Sequence, residues 1–310
     1  FSSRRRHTRY ISVTGVQTCA LPISILILRA AAAAAQYGLP LGPHTVEQLA
    51  TKSAALPVPW PRAARESLVS LLGAGRNLLP VWEALDQFEV WNRLIPGWDV
   101  VRSAPQHNPL HTFTVDRHLT ETAAYASEGV RRVQRPDLLL VGALLHDIGK
   151  AREGDHSIVG EQLVAHIAPQ LGFDDADTAS LRALVRHHLL LPDTATRRDP
   201  SDPATVATVR EAVDSVEFLE LLHALTIADA RATGPAVSSE WRLGMVSTLV
   251  ERVRLSFDNA GGDLRTSDAA LQPAPEIADH LEGGQGVVVT IDSESTLPRS
   301  EEHTSELQSH

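Results

Sequence analysis

The feature that most constrains this chain lies at 136–150. Pro136 and Asp137 open a run of apolar residues, Leu138 to Leu145, that ends in His146 and Asp147 before Ile148, Gly149 and Lys150. Proline suits a first helical turn, and glycine suits a helix end. An apolar helix that closes on adjacent imidazole and carboxylate groups makes a poor plain core, because buried polar groups need partners. It makes a good device for delivering two ligands to one site.

The rest of the chain repeats the helical pattern. Apolar residues recur at three- and four-residue spacing, and predict helices over about 115–132, 136–147, 157–171, 175–190, 203–214, 216–232 and 238–254. Upstream, 25–37, 45–54, 62–72 and 78–94 read the same way, Pro61 marks a helix start, and 96–109 reads as a loop. Aromatic residues make up 5% of the chain and alternating patterns are rare, so the fold class expected is all-α. The exception is Gly286 to Ile291, which reads as a strand after a polar Gly- and Asp-containing linker at 258–275.

The two ends are set aside from fold reasoning. Residues 13–24 and 299–310 translate complementary strands of one short DNA, that of a short-read sequencing adapter, and residues 3–9 fit its adjoining arm. An arginine cluster, an apolar run and an alanine tract across 4–35 mimic a secretory leader, but most of the basic part belongs to this terminal segment. The single cysteine, Cys19, belongs to it too. No disulfide framework or thiolate zinc site is then expected, which is compatible with the cytoplasm.

Charge narrows the function classes. The formal net charge is −10. The excluded N-terminal segment carries four arginines and no acid, and the C-terminal one carries one arginine and three glutamates, so the remainder is more acidic still. That balance argues against a nucleic-acid partner, which needs clustered positive charge. No apolar run approaches the roughly 20 residues that span a membrane.

Histidines and acids concentrate between 118 and 229, on or beside predicted helices: His118, His146 with Asp147, His156, His187 with His188, and Asp229. This donor set suits a divalent metal (magnesium, manganese, iron or zinc), as one ion or two. Such a centre polarises a phosphoryl oxygen and activates water near neutral pH. Asp147 and Lys150 are the expected catalytic residues, Lys150 as a side chain that follows the pair closely enough to reach a phosphate, the alternative being a solvated helix-end lysine. Arg231, two residues from Asp229, does not share its helical face. His44, His107, His111, His166, His223 and His280 are read as ordinary surface or core histidines.

These motifs resemble the HD superfamily of metal-dependent phosphohydrolases, whose signature is H…HD…D on helices. The segments at 108–119, 144–150, 154–157, 184–195 and 224–234, with 82–87 upstream, are similar to the bacterial PII uridylyltransferase/uridylyl-removing enzymes of actinobacterial type. The resemblance covers about 25–298. It implies a helical linker at 25–100, an HD domain at 101–258, and a linker with the truncated start of an ACT domain at 259–298. It also implies that His118, His146, Asp147 and Asp229 are metal ligands, with His156, His187 and His188 as further histidine positions.

The activity so implied is removal of UMP from a tyrosine of the PII nitrogen-signalling protein. In that family a nucleotidyltransferase domain makes the same bond and ACT domains sense glutamine. A transferase site needs a Gly-Ser turn and an Asp-x-Asp pair on a sheet. This chain has no Gly-Ser, and its Asp175-to-Asp177 pair lies in a polar helix start. Hydrolysis without transfer, and without a glutamine response, is the resulting expectation. Two rivals are weighed against it. In HD hydrolases of guanosine alarmones, acids follow the His-Asp pair closely, whereas here the first is Glu153. A non-catalytic regulatory module would not need the full ligand set.

Overall fold

The computed structural model describes residues 23–106 and 110–259. The terminal segments apart from Ile23 and Ser24, His107, His280, the polar linker from residue 260 on, and the expected strand Gly286 to Ile291 with the ACT start lie outside the described residues; positions 258 and 259, expected in the linker, belong to a helix. Among the described residues every regular element is helical, in line with the all-α expectation. No helix is long and apolar enough to cross a membrane.

Six helices precede the histidine cluster: α1 (Leu26–Gln36), α2 (Pro43–Lys52), α3 (Arg62–Leu72), α4 (Leu78–Asp86), α5 (Val90–Leu94) and α6 (Trp98–Val101). The stretch 78–94 is two helices rather than one, because Glu89 takes a left-handed conformation with φ 53° and breaks the ladder. The supposed loop at 96–109 contains α6. Both corrections follow from the packing of three buried indoles. Trp82 stacks on Trp91 with ring centroids 3.6 Å apart and meets Trp98 edge-on at 5.3 Å. Trp91 also donates through Nε1 to the Trp82 carbonyl at 3.0 Å. Burying the rings stabilises the break more than an uninterrupted helix would. Replacing Trp82 by Ala is expected to cost about 3–5 kcal/mol. A loss of unfolding free energy below about 1 kcal/mol in denaturant titration would refute the central role given to this stack.

The remaining helices are α7 (Val115–Ala126), α8 (Pro136–Leu145), α9 (His156–Gln170), α10 (Asp175–His187), α11 (Leu190–Arg197), α12 (Pro203–Ala212), α13 (Val216–Thr233) and α14 (Glu240–Asn259). Helix α7 ends at Ala126 and continues as a 3₁₀ turn to Arg132. Helix α11 occupies a stretch without a predicted element. Starts follow local chemistry: Pro136 and Pro203 occupy first turns, and Asp155, Asp174, Asp202 and Ser215 accept from backbone N–H groups of the helices they open, satisfying donors that have no intrahelical partner.

Helix α8 is buried from Leu138 to Leu145 and packs against α7, α10 and α13. Before its first turn, Arg135 makes a bidentate pair with Asp177 at 2.6 and 2.8 Å, fixing the start of α8 to the start of α10. Partnership with Asp177 and Asp137 raises the Arg135 guanidinium further above its ordinary range. The two helices pack against each other, and a histidine stands at the C-cap of each.

Candidate metal centre

His146 follows the last residue of α8 and His188 follows the last residue of α10. Both rings use the same local bond: Nδ1–H of His146 donates to the Ala143 carbonyl at 2.9 Å, and Nδ1–H of His188 donates to the Val185 carbonyl at 2.7 Å. Committing Nδ1 to a carbonyl leaves the Nε2 lone pair facing inward, the tautomer a metal requires. The two rings lie 5.3 Å apart between centroids.

Asp147 stands between two groups of candidate donors. Its Oδ2 is 3.4 Å from His146 Nε2 and 3.6 Å from His118 Nε2. Its Oδ1 is 3.6 Å from His156 Nε2 and 3.5 Å from His188 Nε2. Asp229 on α13 closes the first group, with Oδ1 3.0 Å from His118 Nε2 and 3.6 Å from His146 Nε2. Thr233, one turn on, donates to the same oxygen at 3.3 Å. Thus one carboxylate has an oxygen in each group, the arrangement of a bridging ligand between two ions.

A close backbone approach brings in His156. Asp155 caps α9 by accepting from Ser157 N and Ile158 N at 2.8 and 3.2 Å, so His156 starts the helix beside the turn that carries Asp147. At Gly149 a Cβ would stand 2.0 Å from the His156 carbonyl oxygen and 2.5 Å from Gly160 N. The expectation that Gly149 serves as a helix C-cap is therefore corrected: α8 ends at Leu145, and Gly149 is needed because α9 passes where a side chain would be.

Burial and charge set the ionisation of the cluster. Burial opposes a charge on His146, yet Asp147 and Asp229 overcome it and push the ring up to about 10. Despite their own burial, those neighbouring rings and Lys150 hold Asp147, and the rings hold Asp229, well below the usual carboxylate range. Burial dominates at His188 and brings it down to about 4. His111 falls to about 4 through burial and the adjacent Lys150.

The donor set fits a divalent cation. Each group of three nitrogen and oxygen donors converges within 4.8 Å: His118 with His146 and Asp229, and Asp147 with His156 and His188. Asp147 Oδ1 is buried without a hydrogen-bond partner, an expensive condition unless a cation meets it. A third group joins His111 to His118 and Asp147. This corrects the reading of His111 as an ordinary histidine; it precedes α7, where no helical period marks it, although it lies within the 108–119 segment. His187 is half-buried, depressed by burial and Arg186, and joins none of these groups. Adjacent helical residues point about 100° apart, so the turn that aims His188 inward aims His187 away.

Lys150 forms the polar wall of a cavity of about 420 Å³ that opens onto Asp147, His156, His188 and Asp229. Its Nζ is 2.5 Å from Asp147 Oδ2 and donates to Gln106 Oε1 at 2.7 Å. Gln106 carries no sequence signal. Arg231 instead pairs with Glu128 at 2.6 Å, away from the cluster.

The helices that carry these donors lie in a segment that matches known proteins. Residues 115–233, from the first residue of α7 to the last of α13, match the HD domain family. The chain is 60% identical over 228 residues to the bifunctional uridylyltransferase/uridylyl-removing enzyme of Streptomyces coelicolor, covering 74% of this chain and 27% of that one. The enzymes of that name from Mycobacterium tuberculosis and Corynebacterium glutamicum are 49% and 39% identical, over 74% and 68% of this chain and 29% and 31% of theirs. The chain spans less than a third of the length of these relatives.

Proposed function

Because this chain carries an HD domain and is homologous to one segment of the bifunctional uridylyltransferase/uridylyl-removing enzymes, we propose that it removes UMP from the uridylyl-tyrosine of the PII protein by metal-dependent phosphodiester hydrolysis, in the cytoplasm. The observation that carries the proposal is Asp147, whose two oxygens each face a separate pair of histidines.

His118, His146, Asp147 and Asp229 would hold one ion, and Asp147, His156 and His188 a second. When bound, divalent ions supply Lewis acidity toward a phosphoryl oxygen and activate water at neutral pH. The chain's own residues supply the rest. Nδ1 bonds to carbonyls fix the His146 and His188 tautomers. Lys150, paired with Asp147 Oδ2 in the cavity wall, would offer its charge to a phosphate bound beside that carboxylate. The neutral His111 ring accepts a hydrogen bond at Nε2 from Lys150 Nζ, at 3.4 Å, and helps to orient that ammonium group. A tyrosine leaving group, with an ordinary pKa of about 10, departs without a strong general acid.

The expected result is release of UMP when the chain, supplied with manganese, iron, zinc or magnesium, is incubated with uridylylated PII. Turnover of free nucleotides or bis-para-nitrophenyl phosphate without UMP release from PII would keep the hydrolase and discard the protein substrate. Failure on all three, with no bound metal, would refute the hydrolytic reading.

A further inference from the structure

A second cavity, of about 250 Å³, adjoins the metal centre and shares His111, Leu189 and Asp229 with the first. The two differ in chemistry. The first is walled by charged and ligating groups. In the second, Pro192 of α11 and Leu243 and Val246 of α14 provide apolar surface, and Arg242 provides a guanidinium. Arg242 is only partly exposed and has no hydrogen bond or ion pair among the described residues. The acid on the same wall, Asp193, is 3.5 Å from Arg197 instead. A partly buried guanidinium with five donors and no acceptor is costly, and this one lines an apolar cavity whose mouth is a metal ligand.

We propose that this cavity binds the nucleoside base of the scissile nucleotide, with Arg242 donating to a base carbonyl. The inference rests on the uridylyl-removing reading and extends it. A phosphodiester held by a cation beside Asp229 would have two organic arms. An esterified tyrosine ring has no acceptor on its edge for Arg242, whereas uracil carries two carbonyls on its edge and flat ring faces that suit the apolar walls. The base thus satisfies both halves of the cavity, and the tyrosine arm, tethered to a protein, leaves by the open side of the first cavity. Small-ligand sites have this composition, apolar walls with a few placed polar groups.

The test uses the full chain and two readouts. The first is binding of uridine, which carries no phosphate, followed by ligand-observed NMR in the presence of a chelator. The second is the ratio of kcat/KM for the para-nitrophenyl ester of uridine 5′-monophosphate to that for methyl para-nitrophenyl phosphate. Arg242→Ala is expected to weaken uridine binding by about tenfold, the loss of one charge-assisted hydrogen bond, and to lower the ratio by a similar factor. Leu243→Trp, which fills the cavity from its rim, is expected to abolish uridine binding. Absence of uridine binding to the parent chain, or equal binding and an equal ratio in Arg242→Ala, overturns the inference. If the parent hydrolyses neither ester, the uridylyl-removing reading falls, while the uridine titration still decides the cavity.

Discussion

Replacing Asp147 by Ala is expected to abolish metal loading at both groups and to reduce hydrolysis by about 10³-fold or more, the equivalent of the several kcal/mol a catalytic ion contributes. The effect is large because the two oxygens belong to different groups: His118 and His146 face Oδ2, while His156 and His188 face Oδ1. Removing Asp229 takes one ligand from one group; removing Asp147 takes one from each. Asp147→Asn keeps the volume and one acceptor but loses the charge, and is expected to follow Asp147→Ala closely. Metal content by elemental analysis and UMP release would be measured together, with far-UV circular dichroism as the control for fold. Wild-type turnover in either variant would exclude a bridging role for this carboxylate.

Gly149→Ala is expected to be the most damaging single methyl group that can be added here, costing about 3 kcal/mol of stability, at the upper end of overpacking effects, together with most of the activity. The new Cβ would meet backbone atoms, the His156 carbonyl at 2.0 Å and Gly160 N at 2.5 Å, and backbone cannot rotate out of the way. The start of α9 must move, and His156 moves with it. Gly160→Ala is the informative companion. Its Cβ would press on a Val185 methyl at 2.8 Å, a side chain that can yield, so a smaller loss of about 1 kcal/mol follows. Thermal melts of the two variants should separate in that order. Equal melts would mean that the turn and α9 are not locked together as described.

Much of this centre is legible in the sequence, for identifiable reasons. The apolar run of α8 can end on His146 and Asp147 only if something receives them, which makes the pair conspicuous among its apolar neighbours. Pro136 and Asp155 mark helix starts by local chemistry that acts within a few residues. What is not legible is set by contacts from elsewhere in the chain. The break at Glu89 has no glycine or proline to announce it and answers to the packing of Trp82, Trp91 and Trp98. Pro192 reads as punctuation but lies in the first turn of α11, where its missing N–H costs nothing. His187 and His188 are indistinguishable as letters and separate only by the rotation of the chain where α10 ends. His111 and Gln106 reach the cleft from an irregular stretch, where no period predicts direction.

The donors at this centre come from α7, the turns after α8 and α10, the first residue of α9, and α13, so they join chain positions from His118 to Asp229. A chain with a single cysteine has no internal disulfide available. An ion held only by the folded arrangement acts as a reversible cross-link among five separate segments, and at a hundredfold excess over its dissociation constant it adds about 2.7 kcal/mol to the folded state. The same atoms that would equip the cleft for chemistry would thereby tie the helices together, and the supply of metal would set how firmly.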